Sequence, residues 1–208
     1  MFAVAPLRNE SGSLHADGVR LADHLAHQLE NVAKLDVLPV NRTIAAMEAL
    51  GIDAITSVGD ALTVMKTVGS DGLVIGTITA YEPYDPPTLG LAIELYTGPR
   101  QETVLAADPR VLSRSATPVY WPIKSRADPT QPVSSVRGVY DASERRVRRR
   151  MQQYARWRGQ IKDTDAWHQY RISMDLYSQF ITHVMTRRLM AAETARFKRL
   201  TEAPKPAS

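Results

Sequence analysis

The segment Gly72–Glu82, with the sequence GLVIGTITAYE, predicts the strongest strand in this chain. Valine, isoleucine, threonine and tyrosine dominate it, and their side chains suit a pleated, half-buried surface. After a proline-rich turn at 83–88, the residues Leu89–Tyr96 alternate between large apolar side chains and others. An alternation with a period of two predicts a strand with one buried face. The two segments together predict an antiparallel hairpin.

The N-terminal residues predict a strand, a polar loop and a helix in succession. Phe2–Leu7 is a short apolar run, and a helix through Val32 follows, whose apolar residues recur at steps of three and four. Leu35–Val40 predicts a second strand, which is followed by a helix capped by Asn41 and a helix headed by Asp60. This order is the beginning of a βαβ unit.

The C-terminal half predicts further strands and ends in helices. The predicted segments are a short strand at Thr103–Ala106, a last strand at Val133–Tyr140, a helix from about Glu144 to Ile161 that is capped by Asp141 or Ser143, and a long helix from about Thr164 to Leu200. The whole pattern predicts an α/β protein with a mixed sheet of about five to six strands, flanked by helices and ending in long C-terminal helices.

Composition excludes several classes of protein. The chain of 208 residues contains no cysteine, so disulfides, cysteine metal sites and thiol nucleophiles are excluded. Hydrophobic residues make up 44% and charged residues 23%, as in an ordinary globular protein, and no apolar run approaches the roughly 18 residues of a membrane span. Residues 141–200 hold 14 Lys and Arg against 6 Asp and Glu, whereas residues 1–140 hold 11 against 15. The basic character therefore belongs to the C-terminal helices.

Several short motifs occur in an order that resembles one superfamily of envelope domains. The motifs are VAPLRNESG at 4–12, a helix that begins ADG at 16–18, LDVLPVNR at 35–42 and GSDGLVIGTITAYE at 69–82. They resemble the α/β domain of the curli secretion channel lipoprotein family. Related forms occur in the N-terminal domain of the Tol–Pal propeller protein, in flagellar outer-membrane accessory proteins and in lipoprotein activators of penicillin-binding proteins. The resemblance covers roughly Phe2–Tyr96.

The resemblance implies an envelope-associated, non-catalytic domain that binds other proteins. The lipobox cysteine of such lipoproteins is absent, and no long amphipathic insertion like that of the channel is visible, so the pore-forming role is not carried over. Since the first strand is predicted to begin at Phe2, we expect that the natural product carries a signal peptide before Met1. The expected location is then the periplasm, associated with the outer membrane. A natural start at Met1 would instead indicate the cytoplasm.

The domain prediction follows from these segments. We predict a single α/β domain over 1–200, in which a family-like core at 2–96 precedes an irregular proline-rich excursion at 113–132 and basic helices at 144–200. The polar residues 201–208 predict a disordered tail.

The chain shows no constellation of catalytic residues. His24 and His27 stand three apart on the first predicted helix beside Asp23, but no third ligand has a recognisable spacing, so we interpret them as a solvated face. His15, His168 and His183 are isolated, and we expect them to be solvated as well. Ser11 and Ser13 follow a strand without the pattern of a nucleophile elbow, and we expect them to shape a loop. We predict no enzyme activity, no catalytic residue, no metal site and no cofactor.

The run ERRVRRRMQQYARWR at 144–158 is the best candidate for a binding surface. The candidate contact residues are Arg145, Arg146, Arg148, Arg149, Arg150 and Trp157, together with Trp121 in the proline-rich excursion. Arginines interleaved with aromatic residues fit a protein interface, an anionic membrane surface or a nucleic acid. A solvated helix that packs through Val147, Met151, Tyr154 and the stem of Arg158 is the structural alternative.

Two functions follow from these observations. The first is a non-enzymatic scaffold or adaptor of the cell envelope, which binds other envelope proteins, or a second copy of itself, in a secretion, flagellar or cell-wall assembly. The second is a cytoplasmic α/β protein that binds nucleic acid through the arginine-rich helix at 144–158.

Overall fold

The computed structural model describes residues 1–32, 35–98, 131–159 and 167–202, and of residues 200–202 it describes the backbone only. Five strands and six helices lie within these ranges, and we number each kind in chain order. They are β1 (Phe2–Val4), β2 (Arg8–Asn9), α1 (Gly18–Glu30), α2 (Val40–Ala49), α3 (Val58–Val68), β3 (Gly72–Glu82), β4 (Thr88–Thr97), β5 (Ser134–Asp141), α4 (Arg145–Trp157), α5 (His168–Ile172) and α6 (Met174–Glu202).

The sheet is mixed, as predicted. Its order is β1-β3-β4-β5, and β2 pairs with β3 beyond the end of β1. The two short N-terminal strands run parallel to β3, whereas β3, β4 and β5 are antiparallel neighbours. The hairpin predicted from Gly72 to Tyr96 is confirmed, and the last strand lies within one residue of its predicted bounds.

The predicted first strand, Phe2–Leu7, is interrupted in the structure. Regular pairing ends at Val4 and resumes at Arg8, with Pro6 between them. Proline has no backbone N–H to donate to a sheet, which explains the interruption. The predicted second strand, Leu35–Val40, is wrong, because only Val37 forms a bridge, to Phe2. Pro39 then stands at the start of α2, where its missing N–H costs nothing.

Three predicted helix caps are also wrong. Asn41 lies inside α2, whose cap position is occupied by Pro39 without a side-chain hydrogen bond. Asp60 is the fourth residue of a capping box that Ser57 begins. Before α4 the cap position belongs to Glu144, which makes no capping bond, and the Asp141 carboxylate accepts from the backbone N–H of Ser143 instead.

The two predicted C-terminal helices differ from the structure in different ways: the first is shorter than predicted, and the second is divided into two. The helix predicted from Glu144 to Ile161 ends at Trp157, and the long helix is interrupted at Ser173, whose backbone is extended. This break separates α5 from α6. The end of α6 at Glu202 lies beyond the predicted start of the disordered tail, and 203–208 are outside the described residues. The predicted strand Thr103–Ala106 also lies outside the described residues, and so does the predicted excursion at 113–132, except for its last two residues.

The two faces of the sheet are covered by different helices. On one face, α1 and α6 pack over the apolar residues of β4, of which Leu91 and Ile93 are fully buried. On the other face, α2 and α3 cover β1 and the start of β3 through a smaller cluster around Met47, Val64 and Leu73. The face of β4 that the alternation predicted to be buried is therefore the buried face in the structure.

Candidate functional site

Helix α4 is held in the protein by one apolar stripe. Val147, Met151, Tyr154 and Ala155 are all less than 5% exposed and recur at helical spacing. The Tyr154 ring lies 5.5 Å from the Tyr170 ring and 5.6 Å from the Phe180 ring, measured between centroids. The predicted packing stripe of Val147, Met151 and Tyr154 is therefore confirmed, and the remaining faces of the helix are left for other roles.

The arginines of α4 form a cationic surface. Arg145, Arg146, Arg149 and Arg150 are exposed and Arg148 is partly exposed, and we call these five residues the arginine surface. Arg146 lies 3.5 Å from Glu144 in an exposed ion pair, measured from Nη2 to Oε2. Within the described parts of the chain, the other four make no ion pair.

The position of these arginines opposes helix stability. The positive end of a helix dipole lies at its N-terminus, where acidic side chains are favourable and basic ones cost up to about 1 kcal/mol each. The first turn of α4 contains no acidic residue and begins with Arg145 and Arg146. Apart from Glu144 at the cap position, the start of this helix therefore carries the charge that is opposite to the one its dipole favours.

Trp157 closes α4 and remains exposed. Its side chain is 64% exposed, although its ring lies 6.0 Å from the Tyr154 ring and 5.2 Å from the His183 ring. The structure thus places Trp157 at the opposite end of α4 from most of the arginine surface. Trp121, the other aromatic candidate, lies outside the described residues.

His24 does not lie on a solvated face, contrary to the sequence interpretation. Its Nε2 is 2.9 Å from Asp175 Oδ1, and Arg20 Nη2 is 2.8 Å from the same oxygen, so the group joins α1 to α6. Burial alone would raise the pKa of Asp175, but the hydrogen bond and charge of His24 and the charge of Arg20 hold it below its ordinary value. His27 is exposed, as expected, and pairs with Glu30.

His183 is likewise engaged inside the protein. Its Nδ1 lies 3.1 Å from Gln28 Oε1, and the Tyr154 ring packs 4.9 Å from its own ring. Burial, followed by the charges of Arg187 and Arg158, lowers the pKa of His183 below its ordinary value. The expectation that His183 is isolated and solvated is therefore wrong.

The serines of the first loop have structural roles. The Asn9 side chain organises this loop: its Nδ2 donates to Ser13 O over 2.8 Å, and its Oδ1 accepts from Ser11 Oγ over 2.7 Å. The described residues contain no group of three or more His, Asp or Glu placed to hold a metal ion. Over the same residues, no helix combines the length and the hydropathy that a membrane span requires.

Comparisons with known proteins return structural neighbours alone. No protein-family profile matches the chain, and no curated protein matches it either. The solved neighbours include the LpoB C-terminal domain from Salmonella enterica, at 12% identity and a TM-score of 0.42, which spans 67% of this chain and 81% of that one. Lipoprotein GNA1162 from Neisseria meningitidis is 16% identical, with a TM-score of 0.43 and coverage of 67% and 78%.

A third neighbour aligns over nearly the whole chain. The hypothetical protein CT253 from Chlamydia trachomatis covers 98% of both chains at 10% identity and a TM-score of 0.40. With TM-scores below 0.5, these likenesses assign neither a family nor a function to this chain. Of the families named in the motif resemblance, LpoB represents the lipoprotein activators of penicillin-binding proteins, and GNA1162 is described only as a lipoprotein. The curli, Tol–Pal and flagellar families have no counterpart among the three.

Proposed function

We propose that this protein is a non-enzymatic adaptor of the cell envelope, which binds an acidic surface of another envelope protein through the arginine surface of α4. One observation carries the proposal: a helix that is anchored by its apolar stripe presents four exposed arginines in its first two turns, and two of them, Arg145 and Arg146, lie where its own dipole disfavours them. A protein partner with carboxylates at the matching positions would offset this unfavourable charge.

The burial of the apolar stripe favours a protein partner over a lipid surface. An amphipathic helix that binds in a membrane interface inserts its apolar face between the lipids. In α4 that face consists of Val147, Met151, Tyr154 and Ala155, which are packed in the core. The helix could therefore contact a membrane only through its charges and the exposed ring of Trp157.

The burial of Tyr154 favours a protein partner over a nucleic acid. Proteins that bind single strands stack bases on exposed aromatic rings within a basic groove. Tyr154, which the sequence placed between the arginines, is only 4% exposed and its ring is covered by other rings. Of the two aromatic residues of this helix, Trp157 remains exposed. The cytoplasmic nucleic-acid hypothesis thus loses half of the aromatic support that motivated it.

The envelope location and the lipoprotein origin rest on the motif resemblance. The loop that carries the first motif is built by the Asn9 hydrogen bonds, and the strand that carries the last motif is β3. The motifs thus coincide with structural features of the fold. We include in the proposal that the domain works in a secretion, flagellar or cell-wall assembly, and that its partner is another protein or a second copy of itself.

Site-specific photo-crosslinking in the native host tests the proposal. A photoreactive amino acid is introduced at Arg149 on the arginine surface, and in a second strain at Arg42, an exposed arginine of α2. We expect a discrete crosslinked protein from Arg149, absent from Arg42, which is lost when Arg145, Arg146 and Arg150 are replaced by glutamine. The product should resolve as one envelope protein that rebinds the purified domain in a salt-sensitive manner.

Two parallel binding assays cover the alternatives. Purified domain is mixed with vesicles that contain anionic phosphatidylglycerol, and separately with single- and double-stranded DNA, at low salt. The adaptor proposal would be contradicted by two results together: binding to vesicles or DNA that the glutamine replacements abolish, and no crosslinked protein from Arg149. Native secretion of the protein to the envelope would separately exclude the cytoplasmic alternative.

A further inference from the structure

A groove lies between the end of α1, the end of α4 and the middle of α6. Its volume is about 370 Å³, and its apolar walls are Val32, Trp157 and Met190. Its polar walls include Asn31, Thr186 and Arg187. The three helices come from distant parts of the sequence, so no local motif indicates the groove. It is continuous with α4 because Trp157, the last residue of that helix, forms one wall.

The groove is electrostatically suited to an anion. No Asp or Glu is among the described residues that line it, whereas Arg187 is an exposed lining residue. The charges of Arg187 and Arg158 both reach His183, which lies in the wall, since both lower the pKa of that ring. Neither of these arginines makes an ion pair within the described residues. A carboxylate from another molecule could therefore pair with either of them without displacing an existing partner.

The groove also contains features that fit an inserted side chain. Trp157 presents a rigid aromatic surface that is 64% exposed, and tryptophan and arginine are the residue types that dominate interface energetics. Thr186 is 97% buried, and its Oγ1 has no hydrogen-bond partner in the described structure. A buried hydroxyl without a partner is costly, so a hydrogen-bonding group that enters the groove would offset this cost.

We infer that this groove is the anchoring site for an acidic segment of the partner protein, in which one aromatic or long aliphatic side chain enters between Trp157 and Met190 and a neighbouring carboxylate pairs with Arg187. The inference rests on the proposed adaptor function and deepens it by naming what the partner must carry. The arginine surface supplies long-range attraction, which speeds association, and the groove supplies the short-range contact that holds the complex.

Short synthetic peptides test the inference without knowledge of the partner. One peptide has a phenylalanine between two pairs of aspartates, and its control has alanine in place of the phenylalanine. Binding is followed by NMR through the indole N–H signal of Trp157, which is assigned by its loss in Trp157→Phe. We expect the phenylalanine peptide to shift this signal, and the alanine peptide to bind about tenfold more weakly.

Matched variants locate the contact. We expect Trp157→Ala to weaken binding of the phenylalanine peptide about tenfold and Arg187→Gln to weaken it about threefold, because each substitution removes one of the two contacts that anchor the peptide. Arg42→Gln removes an exposed arginine on α2 and should leave binding unchanged. Both groove residues are exposed, so we expect all three variants to fold, which circular dichroism and thermal unfolding verify.

The outcomes separate this inference from the adaptor proposal. Equal affinity for the two peptides, or shifts confined to the amides of the arginine surface, would overturn the groove assignment while leaving the adaptor proposal intact. Absence of peptide binding in a protein that does crosslink a partner through Arg149 would have the same meaning. Absence of both peptide binding and any crosslinked protein would remove the adaptor proposal as well.

Discussion

His24 and Asp175 join the first helix to the last. The His24 Nε2 and the Asp175 Oδ1 are 2.9 Å apart, although 151 positions separate the two residues in sequence. The same carboxylate accepts from Arg20 and, through its other oxygen, from Gln179. This cluster of four side chains connects α1 with the start of α6, the two helices that cover one face of the sheet.

We predict that Asp175→Asn destabilises the protein in a pH-dependent way. At pH 7 the free energy of unfolding should fall by about 1 kcal/mol, because a partly buried carboxylate loses its charge-assisted contacts. The pKa of Asp175 is lower in the folded protein than its ordinary value of 3.8. Its contribution is therefore present above the unfolded-state pKa and is lost as the pH falls through the folded-state pKa.

Urea denaturation of the wild-type protein and of the variant between pH 7 and pH 2 measures this effect. The gap between the two proteins should stay constant down to about pH 5 and close below about pH 4. Asp53→Asn, at an exposed carboxylate with no hydrogen bond among the described residues, should change stability by less than about 0.5 kcal/mol. A gap of constant size throughout the range would mean that packing, not charge, explains the loss.

A second prediction concerns Gly76, where β3 passes the buried side chain of Leu7. A Cβ placed on Gly76 would lie 2.6 Å from Leu7 Cγ, and Leu7 is only 4% exposed. Gly76→Ala should therefore cost about 1–3 kcal/mol by overpacking. Gly59→Ala, whose added Cβ would meet nothing closer than 3.5 Å, should be neutral or stabilising.

A double-mutant cycle with Leu7→Ala identifies the cause of this loss. In the Leu7→Ala background the alanine at position 76 has room, so its cost should shrink and the coupling should exceed about 0.5 kcal/mol. Additive effects in chemical denaturation would mean that the strain at Gly76 arises elsewhere.

A third prediction compares two buried threonines of opposite hydrogen-bond status. Thr43 and Thr182 are both fully buried, but Thr43 Oγ1 has no partner among the described residues, while Thr182 Oγ1 donates to Ser178 O over 2.9 Å. Valine has nearly the shape of threonine without the hydroxyl. Thr43→Val should therefore stabilise the protein by about 1 kcal/mol, whereas Thr182→Val should not stabilise it. Thermal unfolding of both variants measures the effect. Equal shifts of the unfolding temperature in the same direction would contradict the prediction that the two hydroxyls differ in hydrogen-bond status.

A fourth prediction separates binding from folding at the arginine surface. Replacing Arg145, Arg146, Arg149 and Arg150 together by glutamine should leave the free energy of unfolding unchanged or raise it by about 1 kcal/mol, since the dipole penalty is removed. The effect should decrease when salt is added. Arg196→Gln provides the contrast, because Arg196 forms a two-pronged pair with the buried Glu193 and its loss should cost about 1–3 kcal/mol. A large loss from the four glutamines would show that these arginines serve the fold.

The sequence predicted those elements whose signal is local. The bounds of β3 and the buried face of β4 follow from residue type and alternation, and neither depends on a distant partner. The packing stripe of α4 is predictable for the same reason. Leu35–Val40 resembled a strand by the same criterion, yet a strand also needs a neighbour along its length, and only Val37 has one.

The surroundings of individual side chains could not be predicted in this way. His24 and His183 were interpreted as solvated because their own helices offer no reason to bury them. Their environment is set by Asp175 and Gln28, each more than 150 positions away, and by the rings that α4 and α6 bring together. The groove beside Trp157 has the same origin, since its walls belong to three separate helices.

By itself, the sequence determined the α/β character, the hairpin from β3 to β4 and the arginine-rich helix, because propensity, period and charge are encoded over neighbouring residues. Only the tertiary structure decided between the packed and the base-stacking interpretation of Tyr154, left Trp157 exposed and placed Arg187 in the groove beside it. These relations depend on how α1, α4 and α6 pack over the sheet. Packing between distant segments leaves no periodic signal in any one of them.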